Sequence, residues 1–150
     1  DRSPSRGLGD VYKRQTQGGQ IVELKIPGTL YIYADEVKIG QVITNFLTNA
    51  LKHTATGQHI TIQAYRKPDE ETMHFEIRDD GEGIPESELP YVWDRYHKTS
   101  RSFSRNQLNT GLGLAIVKAI LDAHDAQYGV TSIVGKGSTF WFELRETHEA

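Results

Sequence analysis

The chain carries two kinds of hydrophobic pattern, one with a period of two residues and one with the period of a helix. Strict alternation of apolar and polar residues, bounded by glycine or proline, predicts half-buried β-strands. Runs of this kind occupy residues 21–26, 30–33, 60–65, 73–78, 130–134 and 139–144. A polar hairpin joins the third run to the fourth and a glycine-rich turn joins the last two. The pattern therefore predicts two antiparallel strand pairs.

The period changes to that of an α-helix over residues 36–53. An apolar stripe follows one side of this segment, and Asp35 stands where an N-cap is expected, without the glutamate of a full capping box. The other side carries two amides, an ammonium and an imidazole, namely Asn45, Asn49, Lys52 and His53. Taken alone, this face is either a solvated surface or a row of groups that contacts a ligand.

A turn with a carboxylate at its start follows the fourth predicted strand. Its sequence is Asp79-Asp80-Gly81-Glu82-Gly83-Ile84-Pro85. Gly81 and Gly83 remove the β-carbons that would keep a ligand away from the backbone. Asp79 supplies an acceptor suited to an exocyclic amine. In isolation, an ordinary turn without a ligand is the better explanation of the stretch, so its neighbours in the sequence must decide.

A polar stretch at residues 99–109 precedes an apolar helix that runs to about His124. The stretch is typical of a loop that becomes ordered over a ligand, or of a merely long surface loop. Gly111 and Gly113 open the helix, where free backbone amides attract phosphate. Their spacing matches neither a P-loop nor a dinucleotide fingerprint, and residues 135–138 also lack the P-loop pattern.

Composition narrows the class of protein. A chain of 150 residues with 37% hydrophobic residues is long enough for one domain with a core. The net charge of -3 and pI near 6.1 argue against nucleic-acid binding through a basic face. The absence of cysteine excludes disulfides, thiolate metal sites and cysteine nucleophiles. No apolar run approaches the roughly 18 residues of a membrane-spanning helix, so we expect a soluble domain.

The first residues follow neither hydrophobic pattern. Residues 5–15 resemble the in-frame translation of a sequencing-library adaptor. We therefore interpret residues 1–15 as a non-native tail outside the fold, and residues 16–150 as a domain whose native start lies further upstream. The alternative is an ordinary disordered tail.

The order of the motifs carries more information than any one of them. They are NFLTNALKHT at residues 45–54, Asp-x-Gly-x-Gly at 79–83, VWDRYHK at 92–98, TGLGLAIVKAI at 110–120 and GKGSTFWFEL at 135–144. Together they resemble the catalytic ATP-binding domain of sensor histidine kinases, within the GHKL family that includes gyrases and a class of chaperones. The resemblance covers roughly residues 20–145. It implies a Bergerat-type α/β fold, a two-layer sandwich of a mixed sheet and about three α-helices.

The resemblance also implies a role for individual residues, with ATP lying between helices and beneath a lid at residues 99–109. Asn49 would coordinate Mg²⁺ through its amide oxygen, a hard ligand suited to that ion, and Asn45 would line the same site. Asp79 would accept from the adenine amino group, and Lys52 would act with the two asparagines in catalysis. The other implied nucleotide-binding positions are Lys52, His53, Gly81, Gly83, Ile84, Arg95, Lys98, Thr110, Gly111, Leu112, Gly113, Leu114 and Thr139.

Three positions depart from the patterns of relatives in this family. Trp93 stands where the aromatic motif usually has phenylalanine, and Asn109 stands where the glycine motif usually has one more glycine. ATPases of the family place a glutamate one turn before the metal-binding asparagine, as base for the attacking water. That position is Asn45 here, and an amide cannot take a proton. The sequence therefore favours transfer of the γ-phosphoryl group over hydrolysis.

The phosphate acceptor is not evident in this chain, because none of its 6 histidines stands in the phosphoacceptor motif of the family. We expect that acceptor on a dimerisation domain upstream, and expect this chain alone to bind nucleotide but autophosphorylate little. The implied partners are that domain and a response regulator, with no nucleic acid. The implied parent is a homodimeric, membrane-bound sensor whose catalytic domain is cytoplasmic. Two rival interpretations are an anti-sigma-factor-type serine kinase and a nucleotide-free interaction module.

Overall fold

A mixed β-sheet with helices on one face forms the frame of the molecule, as described by a computed structural model. The structure describes residues 11–26, 32, 34–68, 71–94 and 107–146. The strands are β1 (Val11–Gln15), β2 (Ile21–Lys25), β3 (His59–Arg66), β4 (Thr72–Asp79), β5 (Gln127–Ile133) and β6 (Gly137–Arg145). The α-helices of these ranges are α1 (Glu36–Lys52) and α2 (Gln107–Ala123), and a short 3-10 helix spans Leu89–Tyr91.

The six strands lie in the order β1-β2-β3-β4-β6-β5. The neighbours β2 and β3 are parallel, because α1 connects them across one face of the sheet, and the other neighbours are antiparallel. The two hairpins predicted from alternation, β3 with β4 and β5 with β6, are both present. The predicted two-layer α/β sandwich with a mixed sheet is therefore confirmed.

The hydrophobic core lies between the helices and the sheet. Phe46 of α1 is fully buried, and its ring centroid lies 5.4 Å from that of Phe140 on β6. Burial of such side chains is the main favourable term in folding, at roughly 25 cal/mol per Å² of apolar surface. The helical core residues are Ile39, Val42, Phe46 and Ala50 of α1, and Leu114, Val117, Ile120 and Leu121 of α2. The apolar stripe predicted for the first helix is thus the buried side of α1.

Asp35 forms the N-cap predicted for α1. Its backbone is extended, and its Oδ1 accepts a hydrogen bond from the backbone N–H of Lys38 at 3.0 Å. The backbone N–H of Asp35 in turn donates to Nε2 of His124, just beyond the end of α2, at 3.1 Å. The start of α1 is therefore satisfied by its own cap and tied to the end of the other helix.

Replacing Asp35 by alanine should lower the free energy of unfolding by about 1 kcal/mol, because one N–H of the first turn loses its acceptor. Chemical denaturation followed by circular dichroism measures this loss. Lys38→Ala is the control, since it keeps the backbone N–H that Asp35 binds. Equal stability of Asp35→Ala and the wild type would contradict the capping role.

The prediction that residues 1–15 lie outside the fold does not hold for residues 11–15. They form β1, which pairs antiparallel with β2 from Val11 opposite Lys25 to Gln15 opposite Ile21. The strand edge of β2 would otherwise present free N–H and C=O groups, and an extended segment returned by a turn pairs with such an edge whatever its hydrophobic pattern. The adaptor origin of the residues stays a prediction.

Of two further expectations, the first lies largely outside the described residues, and the second differs from the described part of the structure. Of the predicted strand at residues 30–33, Ile32 is described and forms an isolated bridge with Glu146, while its neighbours lie outside the described residues. In place of a third α-helix, the described ranges contain the 3-10 turn at Leu89–Tyr91. No helix within those ranges combines the length and the apolar character needed to cross a bilayer.

Candidate functional site

The turn after β4 begins with a buried acid. Asp79, the last residue of β4, is 3% exposed, and its Oδ1 accepts the backbone N–H of Gly81 at 2.9 Å. Gly83 adopts a φ of 82°, and a β-carbon there would lie 2.4 Å from the carbonyl oxygen of Ile133. A glycine is therefore required where the turn touches the β5–β6 hairpin.

Burial raises the pKa of Asp79 above its ordinary value. The backbone N–H of Gly81, the charge of His53 and the backbone N–H of Ser138 act in the opposite direction, but desolvation is the larger effect. A buried carboxyl whose pKa is raised, at the end of a strand and beside a glycine-rich turn, is a candidate for ligand recognition.

The end of α1 packs directly on this turn. His53 is the C-cap residue of α1. Its carbonyl oxygen would lie only 1.9 Å from a β-carbon placed on Gly81. Its Nδ1 lies 3.0 Å from Oε2 of Glu82, so a side-chain contact also joins the helix to the turn. A cavity of about 420 Å³ opens at this junction, lined by Lys52, His53, Thr54, Ala55, Gln58, Gly81, Glu82 and Gly135.

The polar side of α1 leads from this junction toward α2. Asn45, Asn49 and Lys52 follow one another at helical spacing, with Asn45 and Lys52 half-buried and Asn49 6% exposed. No group among the described residues forms a hydrogen bond with the Asn49 side-chain amide. A buried polar group without a protein partner is costly, so this amide is expected to face a ligand, water or an ion.

The glycine motif lies inside α2, which corrects the prediction that Gly111 and Gly113 open the helix. Because α2 starts at Gln107, the backbone amides of both glycines fall after the four free N–H groups of its first turn. What Gly113 provides is space: a β-carbon there would lie 3.3 Å from Oδ1 of Asn45 on α1. The motif therefore lets the two helices approach each other beside the asparagines.

The remaining predicted positions divide into three sets. Leu114 is buried in the hydrophobic core, and Ile84 is a partly buried residue that packs against that core. Thr110 and Leu112 lie in α2, and nothing further is described of their side chains. Arg95 and Lys98 lie outside the described residues, as do residues 99–106 of the predicted lid.

Thr139 lies on the wrong face of the sheet for the predicted contact. It alternates with the buried Phe140 along β6 and therefore points away from the helices. Its neighbour Ser138 is paired with Asp79 and is buried on the helix side. Ser138 is the residue that sequence reasoning missed, although the alternation around Phe140 contains the necessary signal.

Two serines join the turn to the β5–β6 hairpin. The hydroxyl of Ser138 lies 2.8 Å from that of Ser132, and the Ser132 oxygen accepts the backbone N–H of Ile84 at 2.7 Å. The carbonyl of Glu82 also accepts the N–H of Gly135 at 2.9 Å. The wall of the site around Asp79 is thus held by hydrogen bonds to the sheet.

Trp93 packs against aromatic residues of the sheet and of α1. Its ring lies 5.7 Å from Phe140 and 5.1 Å from Tyr128, with edge-on geometry in both cases, and 6.4 Å from Phe46. Such aromatic pairs add about 0.5–1.5 kcal/mol beyond area burial. Trp93, at the position of the usual phenylalanine, is therefore a partly buried residue that packs against the core.

Comparison with known proteins identifies the same domain. The family model described as histidine kinase-, DNA gyrase B- and HSP90-like ATPase matches residues 34–148. The sensor histidine kinase WalK of Bacillus subtilis is 38% identical over 115 residues, which are 77% of this chain and 19% of that protein. The sensor histidine kinase AruS of Pseudomonas aeruginosa is 40% identical over 106 residues, 69% of this chain and 11% of that protein. The chain therefore spans a fifth or less of these relatives.

Solved structures agree with the sequence relatives. Full-length ShkA in complex with AMPPNP superposes with a TM-score of 0.73 at 26% identity, covering 89% of this chain and 27% of that one. The catalytic domain of the histidine kinase ThkA gives a TM-score of 0.62 at 25% identity, covering 77% of this chain and 70% of that one. With the match over residues 34–148, the chain belongs to the family of histidine kinase-, DNA gyrase B- and HSP90-like ATPases, and it is similar to the sensor histidine kinases named above.

Proposed function

We propose that this domain binds ATP with Mg²⁺ and transfers the γ-phosphoryl group to a histidine on a separate dimerisation domain. The observation that carries the proposal is a set of polar side chains that runs from the buried Asp79, at the glycine turn packed on the end of α1, along α1 to Asn49 and Asn45. One end of it offers an acceptor for a base, and the other offers uncharged amides and an ammonium to phosphates. The names of the sensor kinase relatives support the same activity.

Each residue of this set has a proposed role that suits its chemistry. Asp79 accepts from the adenine amino group, and the turn at Gly81 and Gly83 lies along the base. Lys52 and His53, at the end of α1, face the phosphates. Arg95 and Lys98 remain proposed phosphate contacts at positions outside the described residues.

Asn49 is the residue whose side chain fits a Mg²⁺ ion. Its buried amide lacks a protein partner in the described part of the chain, and Mg²⁺ is commonly held by one or two side-chain oxygens together with substrate phosphates and water. The described residues contain no cluster of three or more acidic or histidine side chains that could hold a metal without the nucleotide. When bound, the ion would neutralise charge on the phosphates.

Transfer rather than hydrolysis is proposed because of Asn45. It stands one turn before Asn49 on the same side of α1, where a water-activating base would have to lie, and its amide cannot accept a proton at neutral pH. The chain's contribution to phosphoryl transfer is then to position the nucleotide and to exclude a general base from the attacking side.

The proposed setting is a two-component sensor. The acceptor would lie on a dimerisation domain of the parent protein, and a response regulator would receive the phosphoryl group afterwards. We propose a cytoplasmic location for this domain within a homodimeric, membrane-bound parent. We propose no nucleic-acid partner, because the chain has a net charge of -3.

Calorimetry and phosphotransfer together test the proposal. The wild-type chain should bind ATP more tightly with Mg²⁺ than with EDTA, and should label a separately supplied, histidine-bearing dimerisation domain from radioactive ATP. Replacing Asn49 by alanine should remove the Mg²⁺-dependent gain, about tenfold in affinity, because one metal ligand is lost. Labelling should fall with it.

Thr48→Ala is the matched control, since Thr48 is the exposed neighbour of Asn49 on α1. It should leave both the affinity and the labelling unchanged. An Asn49→Ala protein that keeps its Mg²⁺-dependent gain would remove Asn49 from the metal site. Labelling of a serine-bearing partner instead of the histidine-bearing domain would replace the proposed acceptor.

A further inference from the structure

The turn between β1 and β2 holds the end of α1 through one buried side chain. Gln20 is 8% exposed, and its Nε2 donates to the carbonyl oxygens of Leu51 and Thr54, both at 3.2 Å. Leu51 lies in the last turn of α1, where carbonyl groups have no partner within the helix. Gln20 therefore provides a C-terminal cap from a distant part of the chain.

The two carbonyls bracket two residues of the proposed phosphate end of the site. Lys52 and His53 are the only residues between Leu51 and Thr54, so one amide group fixes the backbone on both sides of them. The carbonyl of His53 also packs against Gly81. The helix end is thus held between the glycine turn on one side and Gln20 on the other.

The amide of Gln20 is itself oriented. Its Oε1 accepts from the hydroxyl of Thr16 at 2.5 Å, and the Thr16 oxygen accepts the backbone N–H of Gln20 at 3.2 Å. With Oε1 occupied by a donor, Nε2 faces the two carbonyls, which is the arrangement that satisfies every polar atom of the amide. Such a side chain is pre-organised rather than recruited when a ligand binds.

The same turn also holds the loop that follows α1. The Thr56 hydroxyl donates to the carbonyl of Gly18 at 2.7 Å, and the N–H of Gly57 donates to the carbonyl of Gly19 at 2.9 Å. These contacts anchor the loop beyond Thr54, whereas the Gln20 contacts reach the helix end itself. We define the Gln20 clasp as the side chain of Gln20 with its contacts to Thr16, Leu51 and Thr54.

We propose that Gln20 is a positioning residue for nucleotide binding, which acts by orienting Lys52 and His53 toward the phosphates. The inference rests on the proposed function of those two residues. Its consequence is selective: loss of the clasp should weaken the contribution of the phosphates and leave recognition of the base at Asp79 intact. A residue that merely stabilised the fold would change both contributions together or neither.

The test compares the affinities for ATP and for adenosine, which lacks the phosphates, in the full 150-residue chain. Gln20→Met keeps the length of the side chain and removes both donors. It should weaken ATP binding about five- to tenfold, as expected for an orienting hydrogen bond, and change adenosine binding less than about twofold. Gln63→Met, the same replacement in the middle of β3, should change neither affinity.

Thr16→Val gives a second, milder variant, because it removes the hydroxyl that orients Gln20 and leaves both donors in place. It should shift the ratio of the ATP affinity to the adenosine affinity in the same direction. If circular dichroism shows that Gln20→Met does not fold, Thr16→Val tests the positioning role in its place. An unchanged ratio in the folded variants would overturn the positioning role. A wild-type chain that binds no ATP would instead overturn the proposed function.

Discussion

Replacing Gly81 by alanine is expected to abolish detectable ATP binding. The new β-carbon would lie 1.9 Å from the carbonyl oxygen of His53 and 3.0 Å from Oδ1 of Asp79. The oxygen of His53 belongs to the backbone at the end of α1, so it cannot turn away as a flexible side chain could. Either the helix end or the turn must move, and both belong to the proposed site.

The expected loss of folding free energy is about 3 kcal/mol, near the upper end for overpacking in a well-packed region. Thermal unfolding measures that loss, and calorimetry with ATP measures binding at a temperature where the variant is still folded. The φ of Gly81 does not fall among the positive values of this chain. The predicted effect is therefore one of space and not of backbone conformation.

Gly40→Ala is the matched control for this experiment. Gly40 lies on the exposed side of α1, and a β-carbon there meets nothing within 4 Å. Alanine is the better helix former by about 0.5–1 kcal/mol, so this variant should be slightly more stable and should bind ATP as the wild type does. A folded Gly81→Ala protein with wild-type affinity would show that the His53 carbonyl does not limit the site.

The parts of the fold that the sequence predicts are those in which a local pattern is also the cause of the structure. The apolar stripe of α1 is buried because it is apolar, and Asp35 caps the helix because its carboxylate reaches the N–H of Lys38. The same holds for the hairpins, where alternation places Phe75 and Phe142 inside. Each of these signals lies within a few residues of its effect.

The parts that escaped prediction depend on contacts between distant segments. The strand β1 exists because β2 offers it an edge, and the start of α2 at Gln107 is not visible in the polar residues before Gly111. Gln20 has no local signature at all, since its partners lie 31 and 34 residues further on. A sequence motif identifies the residues of a site more readily than it identifies the distant residues that hold the motif in place.

Ser138 and Thr139 show the limit of carrying a motif over by position. The two residues are adjacent, both have a hydroxyl group, and both lie in the same glycine-rich motif. Only the register of the sheet, with Ser138 opposite Asp79 and Thr139 opposite Arg78, separates them. Since successive residues of a strand point to opposite faces, a displacement of one position moves a side chain out of the site entirely.

Asp79→Asn is expected to weaken ATP binding by about 10- to 100-fold, because a hydrogen bond to a charged acceptor is worth roughly 1.5–3 kcal/mol. Asparagine keeps the shape of the side chain and an oxygen that can accept the N–H of Gly81. It replaces the other oxygen of the carboxylate by a donor group, which faces an amine unfavourably. Calorimetry with ATP and with adenosine should show the same loss, since the contact is to the base.

Asp80→Asn provides the control, because it makes the same chemical change one residue further along, at an exposed position. It should bind both ligands as the wild type does. Equal affinity of Asp79→Asn and the wild type for adenosine would remove Asp79 from recognition of the base.

Asp79→Asn should be more stable than the wild type once the buried carboxyl is ionised, although it binds ATP more weakly. Burial raises the pKa of Asp79 in the folded state, so the folded protein holds this proton more tightly than the unfolded chain does. The ionised carboxylate of Asp79 therefore lowers the free energy of unfolding. The wild type should lose stability relative to Asp79→Asn as the pH rises through the folded-state pKa. The pH-dependent part of this difference should vanish below the unfolded-state pKa, where the Asp79 carboxyl is neutral in both the folded and the unfolded state. Denaturation of the two proteins over a pH series measures this difference, in which the other acids of the chain cancel.

A wild type that gains stability over the variant with rising pH would mean that the hydrogen bonds to the carboxylate outweigh its burial. If the expected sign is found, the site keeps a destabilising buried charge at the position where ATP binding benefits from it.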